Sequence, residues 1–95
     1  MILVVATVRL HPGSGPEYET AVAEIMPRVR DANPGILFYH AGKSRDETDT
    51  YRVVEAYADR EAMDRHIGSE SLQRSLSGLM PLIAELDIRI HDAVA

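Results

Sequence analysis

The chain has 95 residues, of which 45% are hydrophobic, and its ten basic and fifteen acidic side chains give a net charge of −5. This length suits a single domain, residues 1–95, and is too short for two. The acidic balance and the lack of a Lys/Arg cluster argue against a nucleic-acid partner. The absence of cysteine excludes a disulfide framework, a thiolate metal site and a cysteine nucleophile. The apolar N-terminus lacks a basic region and a cleavage site and is shorter than the roughly 20 residues of a membrane span. We therefore expect a cytoplasmic protein with no membrane partner.

The first half of the chain predicts a strand followed by a helix. Ile2 to Leu10 is almost continuously aliphatic, which is typical of a central strand covered on both faces. Ser14 with Glu17 three residues later forms a capping-box pattern, so Ser14 is expected to cap the helix. Pro27 lies within that helix and is expected to kink or loosen its last turns. One apolar stripe at helical spacing comprises Tyr18, Ala21, Val22, Ile25, Met26 and Val29.

The second half predicts two strands, a broken helix and a last strand. Residues 36–43 and 50–57 read as strands joined by a polar hairpin connection. Asp59 is expected to cap a second helix ending near Ile67, and Gly68 separates it from a further helical piece. The last strand alternates, with Leu86, Ile88 and Ile90 on one face and polar residues on the other.

The order β-α-β-β-α-β, with the second helix broken, predicts an α+β, ferredoxin-like domain with a four-stranded antiparallel sheet. In that arrangement both helices cover one face of the sheet and leave the other bare. Because the first strand is apolar at both parities, the bare face would expose aliphatic side chains. Two sheets packing face to face would remove this exposure, so we expect a homodimer.

One histidine falls on the inward side of the second helix. Ala62, Met63 and Ile67 mark that side, and His66 lies four residues after Ala62 and three after Met63. Spacing alone therefore predicts that His66 is buried.

The third strand offers a carboxylate to this histidine. Alternation places Val53, Glu55 and Tyr57 on one face, and if Tyr57 faces the helices then Glu55 does too. Glu55 could then reach His66, hold its tautomer and raise its basicity. The alternative of equal weight is a purely structural hydrogen-bonded pair.

The segment EAYADREAMDRHIGSE resembles the E-x-(W/Y)-x-(D/S)-x-E-A-x-x-x-H-x-x-(S/T) signature of the antibiotic biosynthesis monooxygenase family. The segments PGSGPEYE, NPGILFY and LDIRI extend the resemblance over essentially the whole chain. The resemblance implies a ferredoxin-like domain that dimerises sheet to sheet into an α+β barrel, with a small-molecule pocket between helices and sheet in each subunit.

Branches of the family differ in chemistry. Some members oxidise anthrones or quinols with O₂ without metal or flavin, a second branch degrades haem, and a third resembles an isomerase of a phosphorylated signalling sugar. Haem degraders carry a Trp near the position of His66, a His near Leu76 and an Asn on the first strand, and this chain has none of the three. In the anthrone-oxidising branch a Trp corresponds to Tyr57 and a Tyr to Met63, so one aromatic residue is retained.

The resemblance implies a monooxygenase that uses neither metal nor cofactor, with an electron-rich aromatic (quinol- or anthrone-like) substrate and O₂ as partners. His66 is the candidate base, and His11, His40 and His91 lack the spacing of a metal site. The alternatives are an isomerase acting on a small phosphorylated hydroxyketone and a non-catalytic small-molecule-binding dimer. The candidate catalytic residues are His66, Glu55 and Tyr57, and the candidate substrate-binding residues are Tyr39, Val53, Met63 and Leu76.

Overall fold

The computed structural model describes all residues of the chain, 1–95, and has the predicted β-α-β-β-α-β order with a broken second helix. A short 3-10 helix, Met80–Leu82, precedes the last strand. The remaining elements are β1 (Ile2–Leu10), α1 (Gly15–Ala32), β2 (Ile36–Lys43), β3 (Thr50–Tyr57), α2 (Arg60–Ile67), α3 (Glu70–Leu79) and β4 (Ile83–Asp92). The predicted ferredoxin-like α+β class is confirmed. No helix combines the length and the apolar character needed to cross a membrane.

The four strands form one antiparallel sheet in the order β2-β3-β1-β4, so β1 is central as predicted. Its side chains alternate: Val4, Ala6 and Val8 are buried beneath the helices, whereas Leu3, on the opposite face, is 36% exposed. The expectation that both faces of β1 are covered therefore holds for only one face within this chain. The other face of the sheet is open.

The start of α1 differs from the prediction. Ser14 occupies the N-cap position, but its side chain makes no capping hydrogen bond. Its backbone is helical (φ −83°, ψ −4°), whereas a side-chain cap needs the extended conformation. Its carbonyl accepts from Tyr18 N–H at 3.0 Å instead. The helix runs through Pro27 to Ala32, so this proline does not end it.

Side-chain caps set the two short helices that follow. Asp59 Oδ1 accepts from Ala62 N–H at 2.8 Å, which confirms the predicted cap of α2. Ser69, for which no cap was predicted, caps α3 by accepting from Leu72 N–H at 3.2 Å. The helix break fixes the direction of α2, and with it the position of His66, which is only 2% exposed. Ile67 was expected on the buried side but is 45% exposed, because it is the last residue of α2, where the chain turns toward α3.

Candidate functional site

A cavity of about 220 Å³ lies between the helices and the sheet. Sixteen of its 19 lining residues are hydrophobic, and the three others are Glu55, His66 and Ser75. No lysine or arginine lines it. All four strands and all three α-helices contribute to the walls, so the cavity is a product of the whole fold.

His66 occupies one end of this cavity. Its ring lies edge-on to the ring of Tyr39, with 5.4 Å between centroids, and 6.0 Å from the ring of Tyr57. Its backbone carbonyl accepts from Ser69 Oγ at 2.8 Å, but its imidazole makes no hydrogen bond to the protein. Burial lowers the pKa of His66 below its usual 6.5, because the charged form loses its hydration. At neutral pH the ring is therefore uncharged and has one nitrogen free to accept a proton.

Glu55 is paired with a tyrosine and not with this histidine. The Tyr57 hydroxyl donates a hydrogen bond to Glu55 Oε1. The expected contact between Glu55 and His66 is not formed, because Tyr57, two residues further along the same face of β3, satisfies the carboxylate first. Desolvation raises the pKa of Glu55, and the hydrogen bond from Tyr57 opposes that shift. Burial and the neighbouring carboxylate raise the pKa of Tyr57, which stays protonated as the donor.

The structure brings five of the seven candidate residues to the cavity wall: His66, Glu55, Tyr39, Val53 and Leu76. Tyr39 lies directly opposite Glu55 in the β2–β3 register. Tyr57 is fully buried behind the wall and touches the cavity only through its partner Glu55. Met63 does not line the cavity; it packs in a core cluster with Val4, Tyr57 and Ala62.

Two lining residues with hydroxyl groups, Tyr18 and Ser75, were not predicted as site residues from the sequence. Tyr18 was assigned to the apolar stripe of α1, and it is indeed only 2% exposed, with its ring centroid 4.8 Å from that of Tyr51. It also lines the cavity. Desolvation raises the pKa of Tyr18 to about 12, so its hydroxyl is a donor at neutral pH. A tyrosine in an otherwise aliphatic helix stripe was the available signal, because a buried hydroxyl needs a partner.

The fold defines a small α+β domain with an apolar cavity between its helices and its sheet. Family models assign residues 1–76 to the antibiotic biosynthesis monooxygenases. The chain belongs to this family, as its sequence pattern predicted.

Solved structures agree with this assignment. A protein from Caulobacter crescentus, described as a candidate antibiotic biosynthesis monooxygenase, shares 30% identity with a TM-score of 0.93, covering 99% of this chain and 90% of that one. A Deinococcus radiodurans protein with the same description has 17% identity and a TM-score of 0.91, covering 100% of this chain and 94% of that one. One from Nitrosomonas europaea has 14% identity and a TM-score of 0.90 over the whole of both chains. The last two support the fold alone. Among curated proteins no match is found.

Proposed function

We propose that this protein is a cofactor-independent monooxygenase that oxidises a small electron-rich aromatic compound with O₂. The observation that carries the proposal is the imidazole of His66, which lies neutral and without a protein partner in a cavity that no lysine or arginine lines. A general base of this kind needs a pKa not far from the working pH and a free nitrogen within reach of the substrate proton.

The cavity bounds the size of the substrate. An engineered apolar cavity of about 150 Å³ is known to accept benzene, and the cavity here measures about 220 Å³. Drug-sized ligands occupy pockets of about 300–1,000 Å³. A substituted one-ring or compact two-ring aromatic is therefore the expected size.

The reaction starts with transfer of the substrate's acidic proton to His66. The resulting anion passes one electron to O₂, and the radical pair combines to form a C–O bond to the peroxide. Loss of water from the hydroperoxide leaves a carbonyl and uses the proton held by His66. One oxygen atom enters the product and the other leaves as water, so R₂CH₂ + O₂ gives R₂C=O + H₂O without an external reductant.

Tyrosine hydroxyls are the available donors to the developing anion. Tyr57 donates to Glu55. Tyr18 and Tyr39 line the cavity, and their hydroxyls make no hydrogen bond within the protein and are not among its fully buried polar atoms. Burial raises the pKa of Tyr39 as it does that of Tyr18, so both remain protonated. Donors fixed in an apolar site stabilise an oxyanion more strongly than water does.

The isomerase alternative has no comparable support. A phosphorylated hydroxyketone would need cationic side chains around its phosphate, and none line this cavity.

Oxygen uptake with a panel of one- and two-ring quinols, together with anthrone as a three-ring compound larger than the expected substrate, tests the proposal. We expect the wild type to consume one O₂ per product, and His66→Ala to lower the rate at least about 100-fold, the usual contribution of a general base. His11→Ala is the matched control, since His11 lies in the exposed turn after β1. Uptake that His66→Ala leaves unchanged would reject His66 as the base. If the wild type oxidised no compound of the panel, the oxygenase proposal would be rejected in favour of a non-catalytic binding role.

The open face of the sheet supports a second part of the proposal, that the protein is a homodimer. Leu3, Phe38 and Val54 lie on this face and are 36%, 48% and 42% exposed. Large exposed apolar side chains grouped on one sheet face are typical of a protein interface. A second copy with the same face would cover them through a two-fold contact.

A further inference from the structure

Two hydrogen-bond acceptors lie at the same end of the cavity. Glu55 is directly opposite Tyr39 in the sheet, and the ring of His66 packs edge-on against Tyr39. Glu55 and His66 both line the cavity, yet no hydrogen bond or ion pair joins them. A molecule at this end of the cavity would therefore meet two separate acceptors.

The carboxylate of Glu55 has one oxygen open to a ligand. Oε1 accepts from the Tyr57 hydroxyl, whereas Oε2 makes no hydrogen bond within the protein and is not one of its fully buried polar atoms. The cavity wall contains no cation that could neutralise the group. A carboxylate in apolar surroundings is costly unless a donor reaches it, and hydrogen bonds to charged groups are among the stronger ones. A bound ligand can supply the missing donor.

We propose that the cavity selects ligands with two hydrogen-bond donors on one edge, one for His66 and the second for Glu55, as in a vicinal dihydroxy aromatic of the catechol type. Tyr57 is a positioning residue, because its hydroxyl holds one carboxylate oxygen and leaves the other for the ligand. The inference rests on the proposed function only in taking this cavity as the substrate site, and it concerns binding without turnover.

Anaerobic NMR titration of the protein with catechol, its monomethyl ether guaiacol and its dimethyl ether veratrole tests the selection. Each methylation removes one donor and keeps the ring. We expect catechol to bind at least about tenfold more tightly than guaiacol, a difference of about 1.4 kcal/mol, and veratrole to bind most weakly. Because O₂ is absent, the result does not depend on whether the protein is an oxygenase.

The double variant Glu55→Met/Tyr57→Phe locates the second acceptor. Removing both partners of a buried hydrogen bond avoids leaving one of them unsatisfied. In this variant the difference between catechol and guaiacol should disappear, while that between guaiacol and veratrole, which reports on His66, should remain. The matched control is Glu19→Met/Tyr51→Phe. It removes a second tyrosine–glutamate pair, with 2.6 Å between Tyr51 Oη and Glu19 Oε2, that does not line the cavity.

A direct readout on the wild type covers the case in which the double variant does not fold. In protein labelled with ¹³C at the glutamate carboxyl carbons, the Glu55 resonance should move on addition of catechol and stay in place with veratrole. Equal affinity for catechol and guaiacol in the wild type would overturn the proposal. So would discrimination that survives in the folded double variant, an unmoved Glu55 resonance, or failure of all three compounds to bind.

Discussion

Gly35, just before β2, lies against α2 so closely that it has no room for a side chain. A Cβ built on Gly35 would come within 2.5 Å of Ala62 Cβ and 3.7 Å of Ala62 Cα. Carbon atoms in ordinary contact are about 3.5–4.0 Å apart, so Gly35→Ala forces strand and helix apart by about 1 Å. Ala62 is 5% exposed, which leaves the methyl group nowhere to turn.

We expect Gly35→Ala to lower the free energy of unfolding by about 2 kcal/mol, within the range for overpacked cores. In a domain of this size that corresponds to a fall in Tm of about 8–16 °C. Thermal and urea unfolding at a fixed protein concentration measure this loss, since the Tm of the proposed dimer would depend on concentration. Gly42→Ala is the control, because a Cβ at Gly42, within β2, meets nothing within 4 Å.

Ala62→Gly supplies the decisive comparison. Alone it should destabilise the protein by about 1 kcal/mol through helix propensity, but added to Gly35→Ala it removes the clash and should restore part of the lost stability. The coupling between the two positions should reach about 1 kcal/mol or more. Strictly additive effects, or a Gly35→Ala protein as stable as Gly42→Ala, would refute the steric explanation.

Two further predictions concern the open sheet face and the buried histidine. Val54→Lys should convert the proposed dimer into a monomer in sedimentation experiments. The control Val94→Lys, at the exposed C-terminus, should leave the sedimenting mass unchanged. A wild-type protein that sediments as a monomer would contradict the proposed interface. The pKa of His66 in the folded protein is lowered below 6.5. Well above pH 6.5 the imidazole is neutral in both the folded and the unfolded chain. As the pH falls, the unfolded chain takes up the proton first, so the free energy of unfolding decreases until the pH passes the folded-state pKa. Urea unfolding of His66→Gln between pH ~7.5 and ~5.5 should therefore show a smaller loss of stability than the wild type, and an unchanged pH dependence would show that His66 is not the group responsible.

The spacing of apolar residues predicted the helices and strands, because each element must bury one face and that requirement sets which positions are apolar. The inward position of His66 follows from its spacing after Ala62, since residues four apart share a helix face, and the structure confirms it. The prediction that the Ser14 side chain caps α1 was wrong. A capping box depends on backbone dihedrals at one residue, and the turn before α1 gives Ser14 a helical conformation that its sequence pattern does not encode.

The hydrogen bonds inside the site could not be predicted from the sequence, because they too depend on local geometry that residue spacing does not determine. Alternation along β3 correctly places Glu55 and Tyr57 on the face toward the helices. Which hydroxyl or imidazole a carboxylate then bonds depends on differences of an ångström or less between side chains, and periodicity carries no information at that scale. Tyr18 was missed because helical spacing treats every large side chain on the buried stripe as packing, whatever its polar atoms.

The pairing of Glu55 with Tyr57 changes how many hydrogen-bond donors a ligand needs in the proposed site. Had Glu55 bonded His66, the pair would form one base with its orienting acid, and one donor on the ligand would suffice. Instead the Tyr57 hydroxyl donates to Glu55, while the imidazole of His66 has a lowered pKa and makes no hydrogen bond within the protein. Under the proposed function, His66 removes the proton and also accepts one donor of the ligand, whereas Glu55 accepts only the second donor. Glu55 variants should therefore change which ligand binds, and His66 variants should change both ligand binding and the rate of reaction.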